Sequence, residues 1–138
     1  MAAQYLWQIG SVIIAVMAGL HLQMTFFSNK FSSRNEKMVA DMKTSHPNLT
    51  NKMTMWNAWI GFNATHSMGG IFIGVINFYL AARYFEVLQA DHFFFIFNII
   101  TISFFVWLAK TYWFRTILIG VSLVWLCYVA AYILTLVR

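Results

Sequence analysis

The residues of this chain best suited to chemistry are two histidines and an asparagine. His66 lies in "GFNATHSMGG" (Gly61 to Gly70), where Asn63, Thr65, His66 and Ser67 fall within five positions. His21 lies in "GLHLQMTFF" (Gly19 to Phe27), one turn before Thr25. Both stretches sit inside long apolar runs. An ionisable side chain in such a run is a candidate functional site by default. Neutral imidazole ligates haem iron and metal ions readily, so His21 and His66 are the metal or haem ligands, if the chain holds any.

Each of these residues also has a purely structural reading. A polar group left unpaired in hydrocarbon is costly, so such residues turn inward and find one another. Thr25 can bond the carbonyl of residue 21, and Ser67 that of Asn63. A zinc or iron site needs more ligands than this level of the chain offers, since no Asp, Glu or Cys falls there. A third reading is a pocket for a small amphipathic molecule such as a quinone or a lipid. Haem b and quinone are thus the cofactors to consider. Glycine-rich phosphate loops, nucleophile elbows and paired carboxylates are absent, and no catalytic residue is assigned.

The elements that position these residues follow from composition. The chain has 138 residues, of which 61% are apolar and only 9% charged, far below the ~25% charged of soluble domains. That composition predicts an integral membrane protein. Helices are expected over about 5–27, 50–81, 92–113 and 116–137, each with the ~20 apolar residues that a span requires. The expected fold class is all-α, an integral membrane four-helix bundle in a single membrane domain, 1–138. The short turn before residue 116 implies a tight antiparallel hairpin.

The basic loop, 28–49, should carry a short amphipathic helix. In "SRNE" (Ser33 to Glu36) Ser33 and Glu36 have the spacing of a capping box, and Met38, Val39 and Met42 share one side. Pro47 ends that helix, with Asn48 or Thr50 to cap the next. The single cysteine, Cys127, excludes an intrachain disulfide. Five of the nine basic residues, Lys30, Arg34, Lys37, Lys43 and Lys52, lie between the first two spans. An anionic lipid surface accounts for them, so no nucleic-acid partner is expected. Lys110 and Arg115 fall on the same side, against Arg83 and Arg138 on the other. The excess of cations places the loop in the cytoplasm and both termini outside.

Depth brings the polar residues together. At 1.5 Å per residue, His21 lies roughly 7 Å and His66 roughly 5 Å from the middle of their spans, toward the same side. On the second helix Trp56, Trp59, Asn63, His66, Gly70, Gly74 and Asn77 form one stripe, with "GIFIG" (Gly70 to Gly74) as a close-packing pattern. The expected cluster is His21, Thr25, Asn63, His66, Ser67 and Ser122, facing inward in the cytoplasmic half, with Tyr112 and Arg115 at its mouth.

At "MWNAWIGFNATHSMG" (Met55 to Gly69) the chain resembles an uncharacterised family of small four-helix bacterial membrane proteins, as do "GLHLQMTFF" and "YWFRTILIG". The resemblance implies a bacterial inner-membrane setting and matches His21, Asn63, His66 and Ser67 to the family's motifs. It implies no activity. The expected role is a non-catalytic accessory or ligand-binding protein within the lipid bilayer, as a homo-oligomer or part of a larger membrane complex. The alternative is a haem- or metal-linked redox protein.

Overall fold

The structure, a computed structural model, describes residues 1–137. Arg138, used above in the charge count, lies outside them. Among the described residues there are six helices and no strand: α1 (Ala2–Phe27), α2 (Glu36–Thr44), α3 (Met55–Arg83), α4 (Phe85–Ala90), α5 (His92–Tyr112) and α6 (Arg115–Leu136). Four of them, α1, α3, α5 and α6, are long and apolar enough to cross a membrane, and α3 is the least apolar.

Each long helix buries a narrow seam. On α3 the buried or half-buried positions include Asn63, Ser67, Gly70, Gly74, Asn77 and Ala81. On α5 they include Phe95, Asn98, Ile102, Phe105 and Ala109, and on α6 Ile117, Val121, Val124, Tyr128 and Ala131. Steps alternating between three and four residues give the 3.5-residue period of helices packed lengthwise on neighbours. The opposite faces carry exposed Phe, Ile, Leu and Val.

The chain divides into two compact units, Met1–Met17 with Gly70–Arg138, and Ala18–Gly69. The core of the first is built from Trp7, Ile14, Ala81, Leu88, Phe95, Ile102, Val124, Tyr128 and Ala131. Trp7 and Tyr128 are fully buried and stack at 3.9 Å between ring centroids, with Phe95 edge-on to Trp7 at 4.6 Å. Gly74 is where α3 meets α1. A Cβ there would stand 2.6 Å from the Ser11 carbonyl oxygen and 2.7 Å from the Ala15 Cβ, so only glycine lets the two backbones approach so closely. Between α5 and α6 only Trp113 and Phe114 intervene, and the two helices pack against each other.

Several element ends differ from the sequence expectation. The cap of α2 is Asn35, not Ser33: its side chain accepts from the Lys37 and Met38 amides, while Ser33 Oγ accepts from the Asn35 amide. The capping box therefore gives way to a helix starting later, because the Asn35 side chain reaches both free amides. Likewise α3 starts at Met55. Residues beyond Pro47 close into a turn held by His46 Nδ1 and the Met53 carbonyl at 2.8 Å, and Thr54 Oγ1 accepts from the Asn57 amide. Neither Asn48 nor Thr50 is the cap. The helix α4 was not expected. Tyr84, at φ −137° and ψ 36°, breaks the helical path after Arg83, and Leu88 of α4 packs into the core. Asp91 caps α5 by accepting from the Phe93 amide at 2.9 Å, as its sequence position suggests.

Candidate functional site

The second unit holds most of the expected polar cluster. Asn63 is buried on α3, and its Nδ2 donates to the Trp59 carbonyl one turn back at 2.8 Å. That bond fixes the amide, so Oδ1 is the atom facing α1. His21 Nε2 lies 3.0 Å from Oδ1. Since an amide oxygen only accepts, Nε2 carries the proton and donates. Thr25 Oγ1 donates to the His21 carbonyl at 2.8 Å, and Ser67 Oγ to the Asn63 carbonyl at 2.8 Å. Both hydroxyls are buried and satisfied by their own helices. These are intrahelical bonds of the kind any serine or threonine makes in a membrane helix.

Two residues outside the expected cluster complete it. Phe31, in the segment after α1, stacks on the His21 ring at 4.3 Å. Its carbonyl accepts from the Trp59 indole Nε1 at 3.1 Å. A closed circuit results: Trp59 accepts from Asn63, Asn63 from His21, His21 stacks on Phe31, and Phe31 accepts from Trp59. It ties the segment after α1 to both helices. The sequence signal for Trp59 was its place on the polar stripe. Phe31 carried none, because an aromatic among Ser, Asn and Lys looks like any loop residue.

His66 departs from expectation. Its ring lies edge-on to His21 with centroids 5.7 Å apart and parallel to Phe62 at 6.4 Å. Yet the residue is exposed, whereas Ser67 beside it is buried. The inward placement of His66 is therefore corrected. The seam of α3 runs through Asn63 and Ser67, and one residue is 100° of helix, which leaves His66 at the edge of that seam. The remaining expected residues belong to the first unit. Ser122 is half-buried on α6, and Tyr112 and Arg115 are exposed at the two ends of the α5–α6 turn.

The first unit has a polar network of its own. Trp7 Nε1 donates to Asn77 Oδ1 at 3.1 Å, and Asn77 Nδ2 donates to Asn98 Oδ1 at 2.8 Å and to the Ile73 carbonyl at 2.9 Å. Ser11 Oγ pairs with the Tyr128 hydroxyl at 3.0 Å, and the Trp125 indole donates to Ser103 Oγ at 2.7 Å. Among the described residues no buried side-chain nitrogen or oxygen lacks a partner. Asn98 within "FFFIFNII" was a readable signal, as a lone amide in an apolar span must find a partner. Which partner was not readable.

As donors for a cofactor, the two imidazoles are what the geometry offers. Among the described residues no group of three or more His, Cys, Asp or Glu comes together, whereas zinc sites take three or four protein ligands. For haem, each ring must point a nitrogen at an iron between them. The Nε2 of His21 is engaged with Asn63, and the ring is stacked on Phe31, so it would have to turn to present Nε2 to iron. Hydrogen bonding and stacking fit the present arrangement better. Compared with protein families, with curated proteins and with solved structures, the chain finds no match.

Proposed function

We propose that this chain is a non-catalytic integral protein of the bacterial inner membrane, an accessory or ligand-binding four-helix bundle. Its His21–Asn63 pair locks the helices, and His66 offers a polar contact to a small amphipathic molecule. The observation that carries this reading is the unequal exposure of the two rings. One imidazole is held by the buried Asn63 and by Phe31; the other is exposed beside it at 5.7 Å. An exposed ring beside a part-buried asparagine–histidine pair suits a binding edge better than a metal cage. Exposure toward hydrocarbon favours a ligand that itself partitions into the bilayer, of the quinone or lipid kind.

The test is native mass spectrometry of the purified chain in lipid nanodiscs, on the parent and two variants. His66→Ala should lose a co-purifying amphipathic molecule at unchanged thermal stability. Asn63→Leu should lower stability. A coloured preparation that His66→Ala bleaches would overturn the reading in favour of a haem- or metal-linked redox protein. Parent and His66→Ala preparations with the same bound species would leave only the accessory role.

A further inference from the structure

The segment between α1 and α3 combines exposed cations with an exposed apolar tip. Lys30, Arg34, Lys37, Lys43 and Lys52 are all exposed, against two acids, Glu36 and Asp41. Lys43 is already placed, its ammonium 5.4 Å above the Trp56 ring. The end of the segment is stapled shut. The Met55 amide donates to the Ser45 carbonyl at 2.9 Å, His46 Nδ1 pairs with the Met53 carbonyl, and the Thr50 amide donates to the Pro47 carbonyl at 3.2 Å. Leu49 stands at the tip of this turn, 86% exposed. No other large hydrophobic among the described residues is more exposed.

A leucine held out by a hydrogen-bonded turn, in a segment that carries five exposed cations, is the pattern of an interfacial anchor: apolar group into the acyl boundary, cations onto phosphates. An acidic protein would answer the charges but leave the tip unexplained. A bilayer answers both, and it is at hand, because α1 and α3 are of span length and tether the segment close to it. We propose that the Pro47–Thr50 turn docks on an anionic phospholipid surface, with Leu49 inserted and Lys30, Arg34, Lys37 and Lys52 meeting headgroup phosphates.

The test uses the full chain with Cys127→Ala and Asn51→Cys, labelled with an environment-sensitive fluorophore. It is reconstituted in nanodiscs of phosphatidylcholine, alone or mixed with phosphatidylglycerol. The expected result is blue-shifted emission in the mixed discs only. The shift should be lost at 1 M salt, where charges are screened beyond about 3 Å, and in Leu49→Ser. Each Lys→Gln at 30, 37 or 52 should lower the ratio of docked to free turn by roughly fivefold. Equal emission in both kinds of disc would overturn the proposal and assign the cations to another partner. A shift that survives salt and all three substitutions would overturn it too, as insertion without charge recognition.

Discussion

Asn63 is the residue on which the second unit depends, because it serves two partners through opposite ends of one amide. Replacing it by leucine removes the acceptor for His21 Nε2 and the donor to the Trp59 carbonyl. The expected loss of stability is about 1–3 kcal/mol, since a polar group left unmet in a buried setting costs more than the bond itself contributes. His21→Leu alone should cost a similar amount, but little more on top of Asn63→Leu. The cycle should give a coupling of about 0.5–2 kcal/mol, read from unfolding in mild detergent. Additive losses would show that the two side chains act independently. The level was legible in the sequence, since depth and helical spacing put His21 beside the stretch that holds Asn63 and His66; which of the two pairs with His21 was not. The orientation of His66 was not, because a polar residue at the edge of a seam and one at its centre differ by a single position. Phe31 was illegible for a different reason. Its role comes from a fold-back of the chain that no local pattern announces.

Helix packing turns on glycine at some positions and not at others, and at Gly74 it is backbone that stands in the way. The sequence singles out Gly70 to Gly74 as a close-packing pattern, while Gly19, Gly61 and Gly69 also lie on spans. In the structure, an added Cβ meets nothing within 4 Å at Gly19, Gly61 or Gly69, and meets the Ser11 carbonyl oxygen and Ala15 at Gly74. Backbone cannot step aside as a flexible side chain can. Gly74→Ala should therefore destabilise by about 1–3 kcal/mol. Gly69→Ala, on the exposed side, should be neutral or stabilising by up to about 1 kcal/mol, because alanine loses less backbone freedom in a helix. Thermal unfolding of the two variants in the same detergent decides the matter, and a tolerated Gly74→Ala would contradict the close approach of α1 and α3. The existence and length of the four long helices were readable, since apolar runs of span length leave few alternatives. Their ends were less so. Ser33 and Asn35 are both good caps, as are Asn48, Thr50 and Thr54, and local chemistry alone does not rank them. The break at Tyr84 was hidden because Arg83 to Ala90 contains neither proline nor glycine; packing of Leu88 into the core accounts for it.

For the whole molecule the decisive quantity is where the charges lie. Exposed Lys30, Arg34, Lys37, Lys43 and Lys52 fall between α1 and α3, and exposed Lys110 and Arg115 flank the α5–α6 turn. If the four long helices cross a membrane in alternating direction, those two connections are expected on one side of it. Arg83 is exposed at the end of α3, and the same alternation puts it on the other side. Translocating the cationic side would oppose the bias that retains Lys and Arg in the cytoplasm. The expected orientation keeps that side inside and both termini outside. Asn48 suits a test, because it is exposed in the turn next to Leu49. In a Cys127→Ala background, Asn48→Cys should resist a membrane-impermeant maleimide in intact spheroplasts and react in inside-out vesicles. Ala2→Cys should do the reverse. If Asn48→Cys is labelled from outside while Ala2→Cys is protected, the topology is inverted. The proposed contact of the Pro47–Thr50 turn would then have to form with the outer leaflet, where its cations would lose the anionic cytoplasmic surface that makes docking favourable.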